Sequence, residues 1–152
     1  MKKIIFTFLS LVILFVGVKA QFADPVQWVY SAKKIGDKTY EIHLTAVLQN
    51  NWHLYSQKQP ADAINIPTEI LFKKNPLLKF DGEIKEVGKM QLFKDSKLKI
   101  SANQYANKVD FVQKVKLKSN VKTAVLGSVE YQTCDDKKCL PPRKIDFTVA
   151  LK

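Results

Sequence analysis

Cysteine, histidine and arginine are scarce in this chain: two, two and one among 152 residues. Each scarcity excludes a class of function. A structural zinc centre needs four ligands, commonly as two close pairs. Cys134, Cys139, His43 and His53 supply one close pair and two separate histidines, so no metal is expected. Arginine is the better fork for phosphate, and Arg143 stands alone. Nucleic-acid binding is therefore not expected, although the formal net charge is +11. No Ser-His-Asp order, Gly-rich phosphate loop or paired-carboxylate site is legible. There is no internal repeat, no low-complexity linker, and no long apolar run beyond residue 18.

The run before that point reads as an export signal. Lys2 and Lys3 give a positive start, Ile4 to Val18 an apolar stretch, and Val18-Lys19-Ala20 a small-x-small end. This is the layout of a cleavable secretory signal. A membrane span needs about 20 apolar residues, and this stretch is shorter and broken by Thr7, Ser10 and Gly17. Residues 1–20 are accordingly expected to be removed, leaving a single exported domain over 21–152 with no stable membrane insertion. No cysteine lies in or just after the signal, which excludes a lipid anchor at that position. Losing Lys2, Lys3 and Lys19 lowers the net charge from +11 to +8. The remaining lysines are scattered, as at Lys114, Lys116 and Lys118, and read as a solvated basic face.

Period-two alternation dominates the rest. Tyr40, Ile42, Leu44, Ala46 and Leu48 fall on one face of a strand, with Glu41, His43 and Thr45 on the other. Val109, Phe111, Val115 and Leu117 alternate with Asp110, Lys114 and Lys116 in the same way. Such alternation marks half-buried strands. Further strands are expected over 26–32, 68–73, 97–103, 123–132 and 145–151. Turn signals stand at Gly36-Asp37, Asn50-Asn51, Asn75-Pro76, Asp81-Gly82 and Ser119-Asn120. No segment reads as an amphipathic helix of three turns. Seven to nine strands at this spacing predict an all-β, immunoglobulin-like antiparallel sandwich, with a closed barrel as the alternative. His43 reads as an exposed residue on the polar face of its strand.

The chemistry lies in Tyr131-Gln-Thr-Cys-Asp-Asp-Lys-Lys-Cys-Leu-Pro-Pro142. In an exported protein such thiols meet conditions in which disulfides form and persist. The four polar residues between Cys134 and Cys139 suit a hairpin turn, and opposed positions near a hairpin end bring two Cβ atoms within bonding range. Closing so short a loop stabilises by roughly 2 kcal/mol in the chain-entropy model, well below the effect of a long loop. The short span favours exchange chemistry over stapling. Asp135 and Asp136 beside Cys134 disfavour its thiolate, whereas Lys137 and Lys138 beside Cys139 favour the attacking form. Leu140-Pro141-Pro142 fixes an extended segment that suits an exposed rim.

These residues resemble the active-site hairpin of the N-terminal periplasmic domain of the DsbD thiol:disulfide interchange reductases. Val129-Glu-Tyr-Gln-Thr-Cys134, a short polar insert and Cys139-Leu-Pro-Pro142 carry the resemblance. Asn51-Trp-His-Leu-Tyr55, and Gly88-Lys89 followed by Phe93 and Asp95, extend it from about Val26 to Leu151. The resemblance implies an immunoglobulin-like fold whose cysteine pair takes electrons from a thioredoxin-like domain of a membrane reductase. It passes them to periplasmic thioredoxin-fold oxidoreductases that isomerise disulfides or serve cytochrome c maturation. It makes Cys139 the sulfur that forms mixed disulfides, by thiolate attack without a cofactor. Trp52, His53, Tyr55 and Tyr131 become candidates to surround the pair, and Glu86, Val87, Gly88 and Phe93 to form a cap loop. Glu86 or Asp95 is a candidate proton relay. Two departures stand out: the insert is one residue shorter than is common in the family, and Lys85-Glu86-Val87 lacks the aromatic of its cap. The sequence ends at Lys152 without the further domains of the full reductase, so the expectation is either a stand-alone carrier working in trans or a relative that kept the fold and changed its job.

Two function classes follow. One is a redox carrier cycling Cys134 and Cys139. The other is an exported binding module of sandwich fold in which the same pair is a static clip.

Overall fold

A computed structural model describes residues 24–151; the signal segment expected over 1–20 lies outside the described residues. Nine strands and no helix are present among them. They are β1 (Val26–Gly36), β2 (Thr39–Leu48), β3 (His53–Tyr55), β4 (Glu69–Phe72), β5 (Leu78–Asp95), β6 (Ile100–Leu117), β7 (Thr123–Tyr131), β8 (Thr133–Cys134) and β9 (Arg143–Leu151). All pairings are antiparallel. One sheet holds β1, β2, β6, β3 and β8, with β5 on the other edge of β6; the second runs β4-β7-β9. The protein is an immunoglobulin-like sandwich of two sheets, and the closed-barrel alternative falls.

Alternation places the core as the sequence implies. Tyr40, Ile42, Leu44, Ala46 and Leu48 of β2 are buried, as are Val109, Phe111, Val115 and Leu117 of β6. Facing them, β7 contributes Val125, Val129 and Tyr131, and β9 contributes Phe147, Val149 and Leu151. Aromatic rings tie the sheets together: Trp28 lies 5.4 Å from Tyr131 and 6.0 Å from Phe111, centroid to centroid. Offset and tilted contacts of this kind add to the area that the rings bury.

Two expectations are corrected in β5 and β6. The segments expected over 97–103 and 109–117 form one continuous strand, β6. Asp81-Gly82 is no turn between elements. It is an irregularity within β5, where the register against β6 shifts between Asp81 and Lys85. Gly82 has φ of 71°, a left-handed conformation that glycine adopts without a Cβ penalty. The carbonyls freed by the shift are met from inside the sandwich, where Gln113 Nε2 donates to Asp81 O at 3.0 Å and Gly82 O at 3.3 Å. This explains a buried polar residue, Gln113, in the otherwise apolar row of β6.

His43 is also corrected. It is half-buried, its Nδ1 lies 2.7 Å from Asp110 Oδ2, and Thr45 Oγ1 donates to Asp110 Oδ1 at 2.9 Å. The register of β2 on β6 sets Thr45 opposite Asp110, so the outer face of this sheet carries a small polar network.

Candidate functional site

Tyr131 ends β7, and Gln132 leads into β8, which pairs with β3 through His53 opposite Cys134 and Leu54 opposite Thr133. Beyond β8 the chain turns back within a few residues. Asp135 N donates to Lys138 O at 2.9 Å, and Leu140 N donates to Thr133 O at 2.9 Å. Cys134 and Cys139 thus face each other as a non-hydrogen-bonded antiparallel pair, the type in which side chains approach most closely. Their Cα atoms are 4.0 Å apart and the sulfurs are joined. The turn is closed by a side chain: Asp135 Oδ1 accepts from Lys137 N at 2.8 Å and Lys138 N at 2.7 Å. Those two backbone donors hold the Asp135 carboxyl below its usual range. The tight insert Asp135-Asp136-Lys137-Lys138 is therefore a hairpin built around its first aspartate.

The two sulfurs differ in exposure. Cys134 is 4% exposed and packs with Tyr55 and Ala102 in a small cluster apart from the main core. Cys139 is exposed on the returning strand. Both border an open cleft of about 360 Å³, whose walls come from three places. His53, Tyr55 and Gln104 belong to the sheet; Phe93 and Ile100 come from the far end of the β5–β6 hairpin; Ile64 and Asn65 come from the β3–β4 connection. Asn65 Nδ2 lies 4.0 Å from Cys134 Sγ. Burial raises the Tyr55 hydroxyl above its usual pKa, and a hydrogen bond from Asn65 opposes that shift.

Of the residues singled out in the sequence, His53, Tyr55, Phe93, Asp135 and Asp136 line this cleft with the cysteines. The others lie elsewhere. Trp52 packs on the main core. Tyr131 is buried there, and its hydroxyl donates to Asp24 Oδ2 at 2.6 Å, beside the Arg143–Asp24 ion pair at 2.7 Å. Burial, then the neighbouring Asp24 carboxylate, drives the Tyr131 hydroxyl well above the usual tyrosine range. Glu86, Val87 and Gly88 form no loop over the sulfurs; they pair in mid-β5 with Phe111, Asp110 and Val109. Glu86 binds structure together instead, its carboxylate accepting from Ser56 Oγ, Gln57 N and Tyr105 Oη, each at 2.7 Å. Gly88 is small because a Cβ there would come 3.0 Å from Lys108 O and 3.2 Å from the Tyr105 ring. Asp95 Oδ1 caps the hairpin end by accepting from Lys97 N and Leu98 N. Among the described residues, no group of three or more His, Cys, Asp and Glu is placed to hold a metal ion.

The site also uses residues that no sequence motif marks. Ile64 and Asn65 sit in a stretch bracketed by Pro60 and Pro67, where the exposed Ile64 and Ile66 flank Asn65. That pattern is the signal by which they could have been found. Gln132 of the Tyr-Gln pair bridges two segments. Its Nε2 donates to Leu140 O at 3.2 Å, and its Oε1 accepts from Ile66 N at 3.3 Å. It fastens the cysteine hairpin to the connection carrying Asn65.

The sequence profile of the family described as thiol:disulfide interchange protein DsbD, N-terminal, matches residues 19–151. The chain belongs to the DsbD N-terminal family. Thiol:disulfide interchange is the chemistry named for that family, and Cys134–Cys139 is the disulfide that borders the cleft. No curated protein matches the sequence. Among solved structures, the N-terminal periplasmic domain of ScsB from Proteus mirabilis is 17% identical with a TM-score of 0.51, over 83% of this chain and 44% of that one. The chain thus spans less than half of that structure. The N-terminal domain of Neisseria meningitidis DsbD in its reduced form is 12% identical with a TM-score of 0.41, over 81% of this chain and 84% of that one. The collagen-binding domain of a Staphylococcus aureus adhesin is 7% identical with a TM-score of 0.44, over 84% and 97%. No helix among the described residues is long and apolar enough to cross a membrane.

Proposed function

We propose that this DsbD N-terminal family member is a periplasmic carrier of reducing equivalents, exported by its first 20 residues and cycling Cys134–Cys139 between disulfide and dithiol. Its electrons come from a thioredoxin-like domain of a membrane disulfide reductase and go to thioredoxin-fold oxidoreductases of the envelope, including those serving cytochrome c maturation. The observation that carries this reading is the asymmetry of the pair: Cys134 is 4% exposed and Cys139 is open to the cleft. Exchange requires a sulfur that a partner thiolate can reach, and unequal access selects which of the two sulfurs is attacked.

The reaction runs in two exchanges. A donor thiolate attacks Cys139 Sγ; the Cys134–Cys139 bond breaks and its electron pair leaves on Cys134. The donor's second thiolate then attacks the donor sulfur of this mixed disulfide and releases Cys139 as a thiolate. The donor departs as a disulfide, and the two thiolates here take up protons from solvent according to pH. Toward an acceptor, Cys139 attacks the acceptor disulfide and Cys134 resolves the mixed disulfide. Lys137 and Lys138 beside Cys139 favour its thiolate. His53, Tyr55 and Phe93 are assigned to the wall against which the partner's sulfur is presented.

Trapping tests the assignment. Cys134→Ser should leave Cys139 forming a stable mixed disulfide with a thioredoxin-fold donor, visible as a reducible complex. Trapping by Cys139→Ser alone would reverse the roles.

A further inference from the structure

The geometry points to Asn65 as the residue that stabilises the departing Cys134 sulfur, by an amide N–H donated to Sγ as the disulfide breaks. The inference rests on the exchange reading and concerns the half of the pair that a partner does not touch.

Three observations carry it. Asn65 Nδ2 already stands 4.0 Å from Cys134 Sγ while that sulfur is still bonded to Cys139. Cys134 is 4% exposed, with Tyr55 and Ala102 around it. A thiolate formed there loses most of its water, and an amide donor is worth more to an anion in such a place than to a neutral disulfide sulfur. Finally, the connection holding Asn65 is fixed from both sides. Ser101 Oγ donates to Asp62 Oδ1 at 2.6 Å, and Asn103 and Gln59 exchange hydrogen bonds through Asn103 N to Gln59 Oε1 at 3.0 Å and Gln59 Nε2 to Asn103 O at 2.7 Å. On the far side Ile66 N donates to Gln132 Oε1. An amide held in this way needs little rearrangement when charge appears on Cys134, which is the condition for electrostatic stabilisation of a reaction.

In the first exchange the electron pair of the breaking bond goes to Cys134 Sγ while Asn65 Nδ2–H donates to it. No proton moves at that step. A better-stabilised leaving thiolate leaves faster. In the return direction the same contact keeps Cys134 ionised for resolving a mixed disulfide.

The test measures the Cys134 thiolate directly, by its ultraviolet absorbance against pH in a Cys139→Ser protein. Adding Asn65→Ala should lower the thiolate fraction at a given pH by about tenfold, the scale of one hydrogen bond to a charged group. Asn65→Asp, similar in shape but anionic, should lower it further. With both cysteines present, each variant should slow reduction of the disulfide by dithiothreitol. Ser101→Ala frees the same connection but keeps the amide, and should shift the titration far less. Equal shifts for Ser101→Ala and Asn65→Ala, or no shift for either Asn65 variant, would overturn the inference. A wild-type disulfide that thiol buffers do not reduce would instead overturn the exchange reading, and the thiolate titration would still decide the role of Asn65.

Discussion

The contact between the two sheets and the ground beneath the cysteines are built on different scales. Among the described residues, 20 buried side chains form the main cluster, whereas Cys134 shares its cluster with Tyr55 and Ala102 only. The first region draws its strands from residues far apart in sequence and buries both faces of the contact. The second is a short hairpin whose turn is held by one aspartate. The difference teaches where stability resides: the sandwich is kept by apolar burial, and its small disulfide is expected to add little to it.

The strongest way to break that comparison is to attack the large cluster. Phe111→Ala removes a fully buried ring stacked on Trp28 and should cost about 3–5 kcal/mol, read by chemical denaturation. Reducing the disulfide, or replacing both cysteines by serine, should cost about 2 kcal/mol or less. A loss from the disulfide that equals the loss from Phe111→Ala would make it a staple and reverse the comparison.

A smaller effect separates the regions by pH. Tyr105 and Tyr131 belong to the main cluster, and burial with a neighbouring carboxylate raises both hydroxyls above the usual value of 10. A raised pKa in the folded state gives stability that is fully present below pH 10 and declines as pH rises through the folded value. Stability measured between pH 9 and the alkaline limit should therefore fall above about pH 10. Tyr131→Phe should flatten part of that fall, and an unchanged slope would count against a hydroxyl raised by burial and by Asp24. The smallest effect is expected at the outer face. His43→Ala leaves Asp110 with Thr45 as its remaining side-chain partner and should cost about 1 kcal/mol or less, given the partial exposure of the pair.

The legible parts of the chain follow the same division. β2, β7 and the C-terminal half of β6 are readable because one face of each is buried, so alternation appears in the residues themselves. β5 is not, because it pairs with β6 alone among the described residues and most of its 18 residues are exposed on both faces. A strand without a buried face carries no period-two signal. Gln113 and Gly82 are explained only together, through a bulge that no local pattern announces. At the site, the cysteines are readable from the hairpin motif, and His53 and Tyr55 from the aromatic segment Asn51–Tyr55 that resembles the family's. Glu86 and Gly88 mislead because a strand shift and a close backbone approach resemble a loop in one dimension. Asn65 and Ile64 reach the sulfurs through a connection whose path depends on Gln59, Ser101 and Gln132, bonded across long stretches of sequence.

A redox titration of Cys134–Cys139 in defined thiol–disulfide buffers decides most directly whether this bond exchanges or merely clips the hairpin. Exchange predicts a midpoint within roughly −270 to −120 mV, the span of proteins that trade disulfides. A midpoint below about −300 mV, where structural disulfides lie, would contradict it.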